Sequence, residues 1–140
     1  MHLPIRRLHE HAVIPEYATA HDAGLDLCTV AEVTVAPGER AVLPTGIAIA
    51  LPAGYVGLIW DKSGVSTKRG VTTIAGVIDA GYRGEITVAL YNIGHESQTF
   101  TVGTKVAQLL VQPVAQVSFT EVAELDETER GAGGFGSTGE

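Results

Sequence analysis

The chain has 140 residues, a length that suits a single domain with a substantial hydrophobic core. Its 9 basic and 16 acidic residues give a net charge of −7, which argues against non-specific binding to nucleic acids or anionic membranes, since both require a basic surface. The single cysteine, Cys28, excludes an intramolecular disulfide, and the sequence contains neither a signal peptide nor an apolar stretch of about 18 residues, so we expect a soluble cytoplasmic protein.

Short apolar runs rich in valine, isoleucine and threonine recur along the chain, separated by turn residues. This spacing predicts an all-β sandwich or barrel. Alternation within the runs predicts which side chains share a face: Ile86, Val88 and Leu90 in one strand, and Leu109, Val111 and Pro113 in a later one. The last run, VSFTEVAEL at 117–125, fits the same strand pattern.

The first segment with candidate chemistry is AGLDLCT, residues 23–29. It places Asp26 between two leucines of a predicted strand, so the carboxylate is expected on the opposite face, toward a cavity or solvent. Asp26 could be a solvated strand residue. It could also belong to a Mg²⁺ site, because Mg²⁺ keeps most of its waters and uses few carboxylates.

The segment DKSGVSTKRG, residues 61–70, follows a predicted strand, and a short helical turn is possible at 63–70; a second turn, or a polar linker, is possible at ELDETER, 124–130. Main-chain N–H groups at Ser63 and Gly64 could bind an anion at the start of that turn. Lys62, Lys68 and Arg69 add cationic donors, so the segment is either a phosphate site or an ordinary polar turn.

Residues 75–86, AGVIDAGYRGEI, form a predicted glycine-rich hairpin that contains Asp79 and Tyr82. Asp79 could be a turn former and Tyr82 a core cap. Alternatively, the two side chains could line a ligand site whose glycines allow a ligand to approach the main chain closely.

The chain ends in RGAGGFGSTGE, residues 130–140, which contains five glycines and one aromatic residue, Phe135. Composition alone favours a frayed terminus, because glycine loses the most entropy on ordering. A segment that closes over a ligand is the alternative. No phosphate-binding GxxxxGK[ST] loop or dinucleotide fingerprint is present, and the five histidines lack zinc-ligand spacing.

Taken in order, these segments resemble the five motifs of the trimeric dUTP nucleotidohydrolases (dUTPases), over nearly the whole chain from about Ile5 to Gly139. The matching segments are AGLDL, KSGVSTKRG, GVIDAGYRGEI, GTKVAQLL and RGAGGFGSTG. The resemblance implies a β jelly roll over residues 1–125 and a C-terminal arm over 126–140. It also implies a homotrimer with active sites between subunits, and hydrolysis of dUTP to dUMP and pyrophosphate with Mg²⁺, which keeps uracil out of DNA and supplies dUMP for thymidylate synthesis.

The resemblance also implies roles for residues of the hairpin. Asp79 would activate the water that attacks the α-phosphorus, and Tyr82 would pack against deoxyribose and exclude a 2′-hydroxyl. The main chain of four residues would pair with uracil: Ala75, Gly76, Val77 and Ile78.

On the phosphate side, Ser63 and Gly64 would hold phosphates with Lys62 nearby, and Gln108 would contact the α-phosphate region. Asp26 would hold hydrated Mg²⁺ through its waters. The arm would act as a lid, with Arg130 on the terminal phosphate and the remaining contacts, over uracil and phosphates, from Phe135, Gly136, Ser137 and Thr138.

Several positions depart from the family pattern. Lys62 stands where arginine is usual, Asp61 where proline is common, and Thr104 and Lys105 replace the usual Asp–Arg pair. The hairpin reads DAGY rather than DSDY, which keeps Asp79 and Tyr82. We expect these changes to tune phosphate affinity, since lysine lacks the bidentate fork of arginine. The alternatives are a dCTP deaminase of the same fold and a nucleotide-switched binding module.

Overall fold

The computed structural model describes residues 1–134, which form eleven short β-strands and one helix, in agreement with the all-β prediction. The strands are β1 (Ile5–Arg7), β2 (Leu25–Cys28), β3 (Val33–Val35), β4 (Arg40–Pro44), β5 (Ile47–Ile49), β6 (Tyr55–Asp61), β7 (Val71–Thr73), β8 (Val77–Ile78), β9 (Thr87–Asn92), β10 (Gln98–Phe100) and β11 (Lys105–Pro113), and the helix is α1 (Ser63–Arg69).

The strands pair in antiparallel fashion into four small sheets, which together form a jelly-roll sandwich. The largest sheet has the order β2-β11-β6-β8, and a three-stranded sheet has the order β4-β9-β7. Two further pairs, β1-β5 and β10-β3, complete the structure. Most neighbours in these sheets are distant in sequence, so the tertiary fold decides which segments meet.

The core lies between the sheets and follows the predicted alternation. Ile86, Val88 and Leu90 are each at most 1% exposed, which confirms their common face. In β11, Leu109 is buried, Val111 is half-buried and Pro113 is exposed, because the strand leaves the core toward its end. Cys28 is buried and unpaired, as expected of a small apolar side chain.

Helix α1 confirms the predicted turn and extends it to seven residues. It begins after Lys62, whose carbonyl accepts the N–H groups of Val65 and Ser66 at 2.8 and 3.0 Å. Only Val65 is buried, and Gly70 ends the helix in the left-handed conformation at φ 63°. Because only one side chain of the helix is buried, the hydrogen bonds at its two ends contribute most to its position.

The segment after β11 does not bear out the strand pattern of VSFTEVAEL. Residues 114–134 contain no helix or strand, and their apolar side chains are exposed, with Phe119 at 94% and Leu125 at 84%. Within residues 1–134 this segment has no strand partner, so its backbone forms no ladder there. Within residues 1–134, α1 is too short to traverse a lipid bilayer.

Candidate active site

Asp26 occupies the centre of a charged cluster that joins β2, β11 and the start of α1. The register pairs Asp26 of β2 with Gln108 of β11 and confirms that its side chain lies on the face opposite Leu27. Lys62 Nζ lies 2.6 Å from Oδ1 of Asp26, and Lys105 Nζ lies 2.6 Å from Oδ2. Asp26 is 8% exposed, so it is not a solvated strand residue: its carboxylate is buried in a cluster with two lysines.

These contacts set the protonation state of the carboxylate–lysine cluster, which we define as Asp26, Lys62 and Lys105. Burial alone raises the pKa of Asp26, but the contacts with Lys105 and Lys62 outweigh it, and the pKa lies below its ordinary value. The same pairing raises the pKa of Lys105. The cluster therefore holds one negative and two positive charges at neutral pH, a balance that favours an added anion.

The donor set around Asp26 fits a hydrated Mg²⁺ better than a directly bound one. Residues 1–134 contain no group of three His, Cys, Asp or Glu side chains that could enclose a metal. However, Oδ2 of Asp26 is buried and has no hydrogen-bond partner in that range, although it forms the ion pair with Lys105. Asp26 also lines a cavity with Cys28 and Lys105, where its carboxylate could accept a hydrogen bond from a metal-bound water, which suits an ion that keeps its waters.

Gln108 lies beside the cluster and is fixed by the main chain. Its Nε2 donates to the carbonyl oxygen of Asp61 at 2.8 Å, directly before Lys62 and the start of α1. The fold therefore brings together five residues predicted for the phosphate side: Asp26, Lys62, Ser63, Gly64 and Gln108. Ser63 and Gly64 are exposed, so their N–H groups are accessible.

Arg69 does not join this group, contrary to the suggestion that the cations of this segment converge. It lies at the far end of α1, where Nε donates to Oε1 of Gln98 at 2.9 Å and Nη2 donates to the carbonyl of Thr99 at 2.6 Å. Its guanidinium also stacks 4.0 Å from the ring centroid of Phe100. These contacts hold the helix against β10.

The hairpin main chain adopts an unusual conformation at the residues predicted to contact uracil. Ala75 has φ 61°, the only positive value of a non-glycine residue within 1–134, and Gly76 has φ 124°. A Cβ atom on Gly76 would lie 2.8 Å from the carbonyl oxygen of Ile59, so only glycine fits there. Val77 and Ile78 then form β8 against β6.

Asp79 follows β8 directly and is exposed, and within residues 1–134 its carboxylate accepts no hydrogen bond. Its carbonyl accepts the N–H of Tyr82 at 3.0 Å, which closes a turn. The Tyr82 hydroxyl donates to the carbonyl of Glu85 at 2.9 Å, and Oε1 of Glu85 accepts the N–H of Gly46 at 2.7 Å. The hairpin is therefore anchored while its acid is free to accept a proton.

Within one chain, the hairpin acid and the carboxylate–lysine cluster are far apart. Asp79 follows Ile78, which pairs with Gly57, whereas Asp26 pairs with Gln108 and Gln108 with Trp60. The offset is three strand spacings across the sheet and four residues along it, or about 20 Å. One molecule cannot place both groups on one phosphorus atom.

In the arm, Arg130 is exposed, and its Nε donates to the carbonyl of Gly133 at 3.0 Å. The structure therefore places Arg130 in a local turn. Four predicted lid residues lie outside the described range: Phe135, Gly136, Ser137 and Thr138.

Sequence analysis missed three residues that organise the site. Lys105 was noticed as a departure from the motif, yet its contact with Asp26 was not predicted. Asp61 anchors the phosphate side and Glu85 anchors the hairpin, each through a hydrogen bond to a residue distant in sequence. The signal for Asp61 was its acidic side chain at a position where proline is common; nothing in the sequence singles out the partner of Glu85.

Comparisons with known proteins show which family the chain resembles. The dUTPase family profile matches residues 10–139. The deoxyuridine 5′-triphosphate nucleotidohydrolase of Nocardia farcinica is 51% identical and covers 98% of this chain and 85% of its own length. The corresponding enzyme of Clostridium kluyveri is 46% identical and covers 99% of both.

Solved structures show the same fold. The dUTPase of Staphylococcus bacteriophage 80alpha with dUpNHpp superposes with a TM-score of 0.93 at 32% identity, covering 99% of this chain and 98% of its own. A dUTPase variant from phage phi11 of S. aureus, described as revealing the coordination of a structural Mg(II) ion, gives 0.85 at 29% identity and covers 91% of this chain and all of its own.

Proposed function

The chain belongs to the dUTPase family, and we propose that it hydrolyses dUTP to dUMP and pyrophosphate in active sites completed by neighbouring subunits. The observation that supports shared sites is the separation of about 20 Å between Asp79 and Asp26 within one chain. A second copy must supply the hairpin to the phosphate residues of the first.

In this proposal the phosphate side of one subunit binds the triphosphate. The N–H groups of Ser63 and Gly64 and the ammonium of Lys62 are the donors, and Gln108 lies beside the α-phosphate. Lys62 lies 2.6 Å from Asp26 and is 34% exposed, so it can turn toward phosphate while Lys105 continues to neutralise the carboxylate. Mg²⁺, held through its waters by Asp26, would neutralise phosphate charge and align the chain.

The hairpin of a second subunit supplies the base and the nucleoside pocket. Tyr82 packs against deoxyribose, with its ring fixed by the bond from its hydroxyl to Glu85. Main-chain groups of residues 75–78 pair with uracil. The Gly76 carbonyl already accepts the N–H of Ile59 at 2.8 Å, so the other groups of this segment carry most of the base recognition.

Asp79 acts as the general base. It accepts a proton from water, the water oxygen bonds to the α-phosphorus, and the bond from that phosphorus to the bridging oxygen of the β-phosphate breaks. Pyrophosphate leaves with the electron pair and dUMP remains. An exposed carboxylate without a hydrogen-bonded partner within residues 1–134 is suited to this task, because its lone pairs are available to water.

We propose a homotrimer in which the arm of a third subunit, residues 126–140, closes over the site. Arg130 would reach the terminal phosphate, and Phe135, Gly136, Ser137 and Thr138 would cover uracil and phosphates. Exposed apolar side chains support association: Trp60 is 57% exposed, Val77 66% and Phe119 94%. An interface between subunits would also remove the exposed apolar side chains of the segment after β11 from water.

The first test is pyrophosphate release from dUTP with Mg²⁺, beside dCTP, dTTP and UTP. We expect release from dUTP alone, and a loss of about 10² to 10⁴ in kcat for Asp79→Asn. Glu32→Gln, an exposed acid outside the site, is the control. Binding of dUTP by the wild type without release would favour a nucleotide-binding module, and ammonia release from dCTP would favour a deaminase.

A mixing experiment tests the shared sites. Asp79→Asn and Asp26→Asn homo-oligomers are each expected to be nearly inactive. After they are unfolded together and refolded, about a quarter of the sites should combine an intact hairpin with an intact phosphate side and regain activity. If both groups acted within one chain, mixing would restore nothing.

A further inference from the structure

Asp61 connects the two main sheets at the edge of the phosphate side. It is the last residue of β6, and it pairs with Ala107, which is fully buried, so its side chain is directed into the sandwich. Its Oδ1 accepts the N–H of Thr73 at 2.6 Å and the Thr73 hydroxyl at 2.8 Å. Its Oδ2 accepts the Thr72 hydroxyl at 2.9 Å.

The main chain of the same residue fixes two groups of the phosphate side. The carbonyl oxygen of Asp61 accepts a hydrogen bond from Nε2 of Gln108. The next residue is Lys62, which is the N-cap of α1 and pairs with Asp26. A shift of Asp61 would therefore displace Gln108 and Lys62 together.

Besides the β6–β11 ladder and the buried Val65, few contacts fix this corner. Lys62 at the N-cap makes no side-chain capping bond, and the first turn of α1 contains no acidic residue. The Lys62 ammonium contacts Asp26 and does not cap the helix. The position of the first turn of α1 thus depends on Asp61, at the end of β6. The Asp61 carboxylate accepts three hydrogen bonds that attach this strand end to β7.

We propose that Asp61 is a positioning residue for the triphosphate: by bonding Thr72 and Thr73 of the opposite sheet, it holds Lys62 and Gln108 in the geometry that binds phosphate. This inference rests on the proposed function, in which those residues face the phosphates. It assigns Asp61 no contact with substrate.

The decisive variant is Asp61→Ala, which removes all three acceptors. We expect KM for dUTP and the inhibition constant of pyrophosphate each to rise about tenfold, which corresponds to the loss of about one hydrogen bond's net worth. kcat should change less than threefold, because Asp79 belongs to the hairpin. Inhibition by deoxyuridine, which lacks phosphates, should be unchanged.

Asp61→Asn and Thr73→Val separate positioning from folding. The asparagine oxygen can still accept both Thr73 donors, so Asp61→Asn should restore pyrophosphate affinity to within about threefold of the wild type. Thr73→Val removes the hydroxyl donor and keeps the N–H, so the inhibition constant of pyrophosphate should rise about two- to threefold. Thr34→Val is the matched control, since it removes a hydroxyl pair with Thr99 on another sheet.

The inference would be overturned by unchanged pyrophosphate affinity in folded Asp61→Ala, or by equal weakening of pyrophosphate and deoxyuridine. If Asp61→Ala does not fold, unchanged affinity in Thr73→Val overturns it. Pyrophosphate binding by calorimetry requires no turnover. A wild type that binds pyrophosphate but does not hydrolyse dUTP would therefore contradict the proposed function while leaving this test decisive.

Discussion

The carboxylate–lysine cluster and the 75–86 hairpin differ in how their acids are held. Asp26 is 8% exposed and contacts two lysines that are distant in sequence, whereas Asp79 is exposed and, within residues 1–134, its carboxylate accepts no hydrogen bond. Folding therefore fixes the charge state of Asp26 before any ligand binds. For Asp79, folding fixes only the main chain, through the contacts of Tyr82 and Glu85.

This difference suits the two proposed tasks. A site for a charged triphosphate benefits from positive charge that is already in place, because no reorganisation is needed on binding. A general base must exchange its proton, which a carboxylate bound to two cations does poorly. The contrast predicts that damage to the cluster affects stability and activity together, whereas damage to the hairpin affects mainly activity.

The largest combined effect on stability and activity is expected from Asp26→Asn, which leaves Lys62 and Lys105 without a counterion. Activity should fall about 100-fold, since the proposed phosphate and metal contacts are both lost. The free energy of unfolding at pH 7 should fall by about 1–2 kcal/mol, a modest value because both lysines can reach water. Urea denaturation and pyrophosphate release measure the two effects.

The pH dependence of the same variant sharpens the test. The folded pKa of Asp26 is lowered, so its stabilisation is fully present above the unfolded value of about 3.9 and is lost as pH falls through the folded pKa. The stability difference between wild type and Asp26→Asn should therefore shrink below about pH 4. Asp22→Asn, whose carboxylate bonds only Thr19, is the control for activity. An unchanged difference at low pH would contradict the ion-pair assignment.

An intermediate effect is expected from Glu85→Ala, which removes the acceptor for the N–H of Gly46. The hairpin should lose its anchor, and kcat should fall about tenfold while KM changes less than threefold, since the phosphate side is intact. Glu85→Gln keeps an acceptor oxygen and should lie within threefold of the wild type. A KM effect larger than the kcat effect would show that the two regions are not independent.

The smallest effect is expected from Ala75→Gly. Relief of the positive φ should raise the free energy of unfolding by about 0.5–1 kcal/mol, because the left-handed conformation is unfavourable for alanine. Ala53→Gly, at an ordinary φ in an exposed turn, should instead lower it or leave it unchanged. Thermal denaturation of the three proteins decides this, and a destabilised Ala75→Gly would refute the strain assignment.

Much of the fold could be predicted from local pattern. The alternation that buries Ile86, Val88 and Leu90, the helical turn at Ser63 and the face of Asp26 opposite Leu27 each depend on neighbours within a few residues. The run at 117–125 has the same pattern but no strand in the structure, because a strand also needs a partner and none pairs with it within residues 1–134.

Periodicity and residue identity are enough to predict the all-β class, the order of the motifs and the chemical types available for a phosphate site. The burial of Asp26 between Lys62 and Lys105, and the contact of Asp61 across two sheets, are visible only after the chain has folded. The same holds for the separation of about 20 Å between Asp79 and Asp26 in one chain. The physical reason is that burial, ion pairing and distance depend on which remote strands become neighbours, and strand register is set by packing of the whole sandwich.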